Sequence, residues 1–217
     1  MVENEILRKN ARMQLGNGIF EKTWLMTLLV FLIYSGIVST AASATWGIAS
    51  VIVAGPLLYG TNRICINLIR GKREIQIEEM FVGFKECFTQ SLLLSLMTAL
   101  YTFLWSLLFV IPGIVKSYSY AMAPYILQDD PTLDWEDCLD ESKEMMEGNK
   151  WQLFCLDFSF IGWYLLGALC LGVGTLWVYP YHYVAKANFY MALKAKNEPP
   201  FTDGEAADGY EPVDPFK

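Results

Sequence analysis

Long runs of apolar residues alternate with short polar segments along most of this chain of 217 residues. A helix of about 20 apolar residues crosses the hydrocarbon core of a bilayer, because each residue adds about 1.5 Å. Helices in the core of a soluble protein do not need runs of that length. The pattern therefore predicts an all-α, polytopic membrane helix bundle with about six transmembrane helices. The predicted spans cover about residues 22–42, 46–69, 88–110, 114–127, 153–171 and 175–193.

Short turns join these spans in pairs, which predicts three helical hairpins. The turns are expected near residues 43–46, 111–115 and 172–175. Pro112-Gly113 is a strong turn signal within the second of them. Pro56 lies inside the second span, where it either kinks one long helix or breaks it in two.

Basic residues lie on one side of the predicted bundle. None of the three predicted outer turns contains a lysine or an arginine. Cytoplasmic loops of membrane proteins are enriched in these residues. The asymmetry predicts a multi-pass protein of the cell membrane, with both termini in the cytoplasm.

Two helices outside the membrane and a tail complete the predicted organisation. Residues 3–20 mix apolar and basic positions, as in an amphipathic helix that lies on a membrane surface. Residues 128–150 predict an acidic cytoplasmic helix that starts at Asp130-Pro131 and buries one apolar stripe. Residues 1–196 then form one membrane domain, and residues 197–217 form a disordered acidic tail.

Composition agrees with a membrane protein and narrows the chemistry. Hydrophobic residues make up 54% of the chain, and its net charge of −7 comes from the segment 128–152 and the tail. No basic patch of the kind that binds nucleic acid is present. The five cysteines form no CxxC pair and there is one histidine, so we expect no disulfide framework, metal site or cofactor. We find no P-loop, HExxH or nucleophile elbow, and the sequence predicts a protein without enzymatic activity.

Four charged residues fall inside predicted spans: Arg63, Lys116, Asp157 and Lys186. Charges are costly in hydrocarbon, so they usually face the interior of a bundle and pair. Either Arg63 or Lys186 could pair with Asp157 at a similar depth. As a binding site, the set would form a polar pocket with net positive charge, suited to an anionic headgroup. The alternative is that these residues hold helices together or extend towards the nearest interface.

Other polar residues predict less chemistry. His182 stands among tyrosines on the sixth span, where we expect aromatic packing. Ser142 and Lys143 are adjacent on a helix and so face different directions, which argues against a catalytic dyad. Asp129-Asp130 could bind a divalent cation, but a helix cap is the simpler interpretation.

Four ordered blocks in the second half of the chain resemble a known family. They lie at residues 108–120, 142–150, 154–163 and 180–190, and the first contains Ile111-Pro112-Gly113 and Ser117-Tyr118. Together they resemble the uncharacterised bacterial membrane family catalogued as domain of unknown function 975. The resemblance extends from about Asn10 to Tyr190 and implies a small bacterial inner-membrane protein. It implies no established activity.

Three functions are compatible with these features. The first is a non-enzymatic membrane protein that binds an anionic lipid or an amphipathic solute, in envelope homeostasis or in resistance to membrane-active peptides. The second is a small transporter or transporter subunit, because Pro56 and Pro112-Gly113 resemble the broken helices of that class. The third is a scaffold that recruits a protein partner through residues 128–150. Membrane lipids are partners in all three.

Overall fold

The computed structural model describes residues 4–15, 22–44, 48–72, 75–108, 110–169 and 173–197. All regular secondary structure within these ranges is helical, which confirms the all-α prediction. The longer helices are α1 (Asn4–Leu15), α2 (Lys22–Ala44), α3 (Ile48–Ile69), α5 (Phe88–Leu108), α6 (Val110–Ser119), α8 (Trp135–Met145), α9 (Lys150–Leu169) and α10 (Val173–Asn197). The shorter ones are a 3₁₀ turn (Ile77–Phe81), α4 (Val82–Lys85) and α7 (Ala123–Asp129).

Four helices are long and apolar enough to cross a membrane. The qualifying stretches are Lys22–Thr40, Ile52–Ile69, Phe88–Leu107 and Lys150–Leu169. They coincide with the first, second, third and fifth predicted spans. Pro56 lies inside α3, which continues through it, so the second span is one helix. The predicted turn residues 45–46 and 172, and the tail from residue 198, lie outside the described residues.

The fourth predicted span differs from the structure. Residues 114–127 are divided between α6 and α7, with a turn at residues 120–122. Pro124 explains the break, because a proline ring would clash with the carbonyl four residues earlier in a continuous helix. Proline is tolerated in the first turn of a helix, and Pro124 occupies that place in α7. For the same reason Pro112 lies near the start of α6, so the predicted turn at 111–115 is helical.

The sixth predicted span is longer than expected and less apolar. It is represented by α10, which has 25 residues and contains Pro180. Its length would suffice to cross a bilayer, but it is not one of the four apolar stretches. Polar residues explain this, since His182, Lys186 and Asn188 lie along its length. By length and apolar composition alone, four of the six predicted spans qualify among the described residues.

The described residues belong to two compact units. The first draws on Met1–Leu28, Cys65–Ile75 and Cys155–Lys217. Here the predicted amphipathic helix α1 packs against α10. Its Leu7, Ala11 and Leu15 are buried, as expected for one apolar face. The side-chain amides of Gln14 and Asn188 also exchange two hydrogen bonds, of 3.0 and 2.7 Å.

The second unit draws on Leu29–Ile64 and Gln76–Phe154. Glycines bring its backbone segments into direct contact. A Cβ atom at Gly60 of α3 would overlap the backbone carbonyl of Met80, and one at Gly83 would overlap the carbonyl of Pro56. The connector between residues 77 and 85 therefore lies against α3 more closely than any larger residue would permit.

The acidic helix α8 begins at Trp135, four residues later than predicted at Pro131. Asp130 instead accepts hydrogen bonds from the backbone N–H and hydroxyl of Thr132, which makes a turn of the kind that aspartate favours. The predicted apolar stripe is largely buried: Trp135 is half-buried, and the buried residues are Cys138, Leu139, Ser142, Met145 and Met146. Within it, the Ser142 hydroxyl donates to the Ser119 carbonyl (2.8 Å) and accepts from the Met122 N–H (3.2 Å). Ser142 thus satisfies two backbone groups that the break between α6 and α7 exposes.

We expect Gly60→Ala to destabilise the protein by about 1–3 kcal/mol, because the added methyl group has no room beside Met80. Gly36→Ala is the matched control, since nothing lies within 4 Å of the position its Cβ would take. There the substitution should be neutral or stabilise α2 by up to about 1 kcal/mol. Thermal unfolding of the purified proteins in detergent measures both. Equal effects of the two substitutions would contradict the close contact.

Candidate functional site

A polar cluster joins α9 and α10 in the first unit. One carboxylate oxygen of Asp157 lies 3.3 Å from the Lys186 Nζ, and the other lies 2.8 Å from Nε2 of His182. The second ring nitrogen of His182 lies 3.0 Å from the Tyr164 hydroxyl. His182 and Lys186 are four residues apart on one face of α10, and this spacing lets both reach the same acid. Of the two predicted pairs, the structure forms Lys186–Asp157.

The partners of His182 are consistent with a neutral imidazole. A carboxylate only accepts hydrogen bonds, so Nε2 carries a proton and donates it to Asp157. In a neutral ring Nδ1 is an acceptor and receives the hydroxyl proton of Tyr164, whereas a doubly protonated ring would donate to that hydroxyl oxygen. The resulting chain runs from Tyr164 through His182 and Asp157 to Lys186. Its formal charges cancel, because one ammonium faces one carboxylate.

Aromatic rings surround this cluster. The Phe160 ring centroid lies 4.7 Å from that of His182 and 5.0 Å from that of Tyr181. The aromatic packing expected of His182 is therefore present, but its role as the partner of Asp157 was missed. The spacing of His182 and Lys186 could have indicated it, because residues four apart on one helix can reach the same acid on the other helix of the predicted hairpin.

Arg63 lies in the second unit, on α3. Its Nη1 forms an ion pair with Oε2 of Glu86, at 2.7 Å. The side chains are 32% and 49% exposed, so water screens the pair in part. Glu86 directly precedes Cys87 and the start of α5. Arg63 therefore lies beside the start of α5, six residues before the end of the apolar stretch of α3.

Lys116 lies on α6 and faces an aromatic ring of α5. Its Nζ is 5.1 Å from the centroid of the Trp105 ring, which places the two within cation–π distance. Such an interaction partly compensates an ammonium group that leaves water. Each of the three basic residues predicted as a binding site thus has a partner in its own unit. The predicted pocket with net positive charge stays a prediction.

A long apolar groove runs along α5 in the second unit. Its volume is about 480 Å³, and one face of α5 from Ser91 to Ser106 forms its longest wall. The hydroxyls of Ser91, Ser95 and Ser106 donate to carbonyls of their own helix at 3.1, 2.9 and 2.7 Å. Because those hydroxyls are already bonded, the wall is largely apolar despite its composition, although the Thr98 hydroxyl midway along it has no partner among the described residues. The remaining walls come from α3 and α7, with Gly55, Leu58, Tyr59, Pro124 and Leu127.

The Ser142–Lys143 pair does not have the arrangement of a catalytic dyad. Ser142 donates its hydroxyl proton to Ser119. Lys143 instead bonds to Asp140 and lies 5.7 Å from the centroid of the Tyr120 ring. The hydrogen bond to Asp140 raises the pKa of Lys143 above its ordinary value, which keeps the ammonium protonated and unsuited to act as a base. Within the described ranges, no group of three or more histidine, cysteine or acidic side chains could hold a metal ion.

A family model agrees with the resemblance noted above. The model described as "Protein of unknown function (DUF975)" matches residues 1–118 and 107–197. The chain belongs to this family. No curated protein and no solved structure matches the chain. The polar cluster of α9 and α10, the Arg63–Glu86 ion pair and the groove of this family member all lie within the matched residues.

We expect Asp157 and Lys186 to be energetically coupled. Asp157→Asn removes the charge that faces Lys186, and Lys186→Met removes the charge that faces Asp157. Each single substitution leaves a partly buried charge without its partner, so the double variant should lose about 1–3 kcal/mol less than the sum of the two. Thermal unfolding of the four proteins in detergent completes the cycle. Lys196→Met, at the exposed end of α10, is the control, and strictly additive losses would exclude the coupling.

Proposed function

We propose that the chain is a multi-pass protein of the cell membrane with both termini on the cytoplasmic side. The four apolar helices and the absence of basic residues from the predicted outer turns support this placement. Large apolar side chains on these helices also face outward: Phe103 is 65% exposed, Leu107 74% and Leu169 87%. Soluble monomers rarely expose so much apolar surface.

Six crossings are part of this proposal. In addition to the four apolar helices, α10 supplies one crossing and the pair α6–α7 supplies another. The ten and seven residues of α6 and α7 extend about 25 Å together, close to the thickness of the hydrocarbon core. The turn between them needs partners for its backbone groups, and Ser142 provides two.

Within the membrane, we propose a non-enzymatic role in which the protein binds a lipid or another amphipathic anion. The groove along α5 carries this proposal, because its volume of about 480 Å³ is that of a small-molecule site and its walls are apolar. Retention of such a molecule would serve envelope homeostasis or resistance to membrane-active peptides. Among the predicted basic residues, Arg63 lies one helical turn after Tyr59, a residue that lines the groove.

The protein should retain about one amphipathic molecule per chain after purification in mild detergent. When the bilayer is removed, an apolar groove of this size stays covered only if a bound ligand or detergent occupies it. Extraction of the washed protein, followed by mass spectrometry of the extract, measures the retained species. An unrelated membrane protein of similar size, purified in the same way, sets the background. Retention at background would refute the binding role.

A transport role is the second candidate. The Tyr164–His182–Asp157–Lys186 chain favours it, because linked ionisable groups inside membrane segments often relay protons. Proline inside α3 and α10 adds sites where backbone groups are free to bind.

The exposed acids of α8 supply a surface for a protein partner, and a scaffold that recruits such a partner is therefore the third proposal.

Transport predicts proton flux into proteoliposomes, which an enclosed pH-sensitive dye reports. Lys186→Ala should abolish the flux, because it removes the ammonium group that pairs with the Asp157 carboxylate. Lys196→Ala should leave it unchanged, since that residue lies exposed at the end of the same helix. Lack of flux in the unmodified protein would exclude proton transport, and flux unaltered by Lys186→Ala would exclude this chain as its path.

A further inference from the structure

One end of the groove lies beside a buried hydroxyl group. Tyr59 lines the groove and is 2% exposed, and its hydroxyl has no hydrogen-bond partner among the described residues. The thiol of Cys87 lies next to it, but sulfur is a weak partner and that thiol already faces the Pro131 carbonyl at 3.7 Å. Because an unsatisfied buried hydroxyl is unfavourable, the Tyr59 hydroxyl is suited to form a hydrogen bond with a polar atom of a ligand.

A basic group lies close to this hydroxyl. Arg63 is one helical turn after Tyr59 on α3 and interacts with it electrostatically. Its Nη1 bonds to Glu86, but a guanidinium has five N–H donors. Arg63 can therefore bind a second anion while Glu86 remains beside it.

Tyr59 lies at the level where the apolar stretch of α5 begins, and about 10 Å inside the apolar stretch Ile52–Ile69 of its own helix α3. It lies beside Cys87 and Ser91, where the 20-residue apolar stretch of α5 begins. That stretch is about 30 Å long, the thickness of the hydrocarbon core. The groove starts at this end and follows α5 for about 22 Å, to Ser106. A molecule in the groove would thus place a polar group beside the start of α5 and an apolar chain along the rest of that helix.

The shape of the groove indicates the size of the occupant. Its volume of about 480 Å³ extends over about 22 Å of α5, so the groove is longer than it is wide. A long apolar space of this kind suits an extended alkyl chain.

We propose that the groove holds one acyl chain of an anionic phospholipid from the cytoplasmic leaflet, with its phosphate against Tyr59 and Arg63. The Tyr59 hydroxyl and the free N–H groups of Arg63 donate to the phosphate oxygens. Glu86 competes with the phosphate for Arg63 and so limits its affinity. The inference rests on the proposed binding role and adds the site, the ligand class and its orientation.

Native mass spectrometry of the full chain, exchanged into either phosphatidylglycerol or phosphatidylcholine with identical acyl chains, tests the site. The unmodified protein should retain one phosphatidylglycerol, and at least tenfold less phosphatidylcholine. Ala99→Phe fills the groove and should lower phosphatidylglycerol retention at least tenfold. Leu100→Phe is the matched control, because Leu100 is the next residue on α5, is 49% exposed and is not among the residues that line the groove. It should retain the lipid as the unmodified protein does.

Substitutions at the polar end test the orientation. Tyr59→Phe and Arg63→Gln should each lower phosphatidylglycerol retention several-fold, whereas Glu86→Gln should raise it, because the competing carboxylate is removed. A free fatty acid that displaces the phospholipid completely would overturn the choice of ligand, as would equal retention of phosphatidylcholine.

Failure of the site and failure of the binding role give different results. If the Ala99→Phe protein binds lipid as the unmodified protein does, the groove is not the site, but the binding role stands. If the unmodified protein binds no amphipathic molecule, both are wrong. Thermal unfolding of each variant identifies any loss that comes from misfolding, and Leu100→Phe shows what an extra phenyl ring on α5 does by itself.

Discussion

Polar groups on an apolar helix must find their partners inside the protein, because hydrocarbon offers none. This requirement accounts for much of the structure. Hydroxyls on the spans turn back to their own helix, as Thr61 does to the Leu57 carbonyl at 2.8 Å. Asp157 receives both Lys186 and His182. Between α6 and α7, where the helical hydrogen bonding is interrupted, the buried Ser142 of a neighbouring helix forms hydrogen bonds with the exposed backbone groups.

The same requirement makes the exceptions informative. Several buried side-chain atoms of α3 and α5 lack a partner in the described part of the chain, including the Thr98 hydroxyl, and one of them is the hydroxyl of Tyr59. It also lines the apolar groove, and the Arg63 guanidinium is nearby. An unsatisfied donor, a cationic neighbour and an apolar channel are the three elements by which a protein recognises an amphipathic anion. Their coincidence gives the binding proposal a specific location, which the charges alone did not.

Charge compensation is local rather than collective. The sequence predicted three basic residues and one acid in a common interior, with net positive charge. In the structure Glu86, Asp157 and the Trp105 ring each face one basic residue. Glu86 lies in a polar connector, outside the spans considered for pairing, and a ring has no formal charge to count. A tally of charges within the spans therefore missed Glu86 as a partner of Arg63 and the Trp105 ring as a partner of Lys116.

The sequence by itself determined the helical class, the four apolar helices and the family, because hydrophobic period and ordered motifs are local properties. It also located the amphipathic helix α1 and the buried stripe of α8. Only the tertiary structure decided that Pro124 starts a new helix, that His182 joins Asp157, and that Arg63 faces Glu86. Each depends on which segments lie side by side. The groove is the clearest case, since its walls come from α3, α5 and α7, and an empty volume between helices leaves no pattern in the order of the residues.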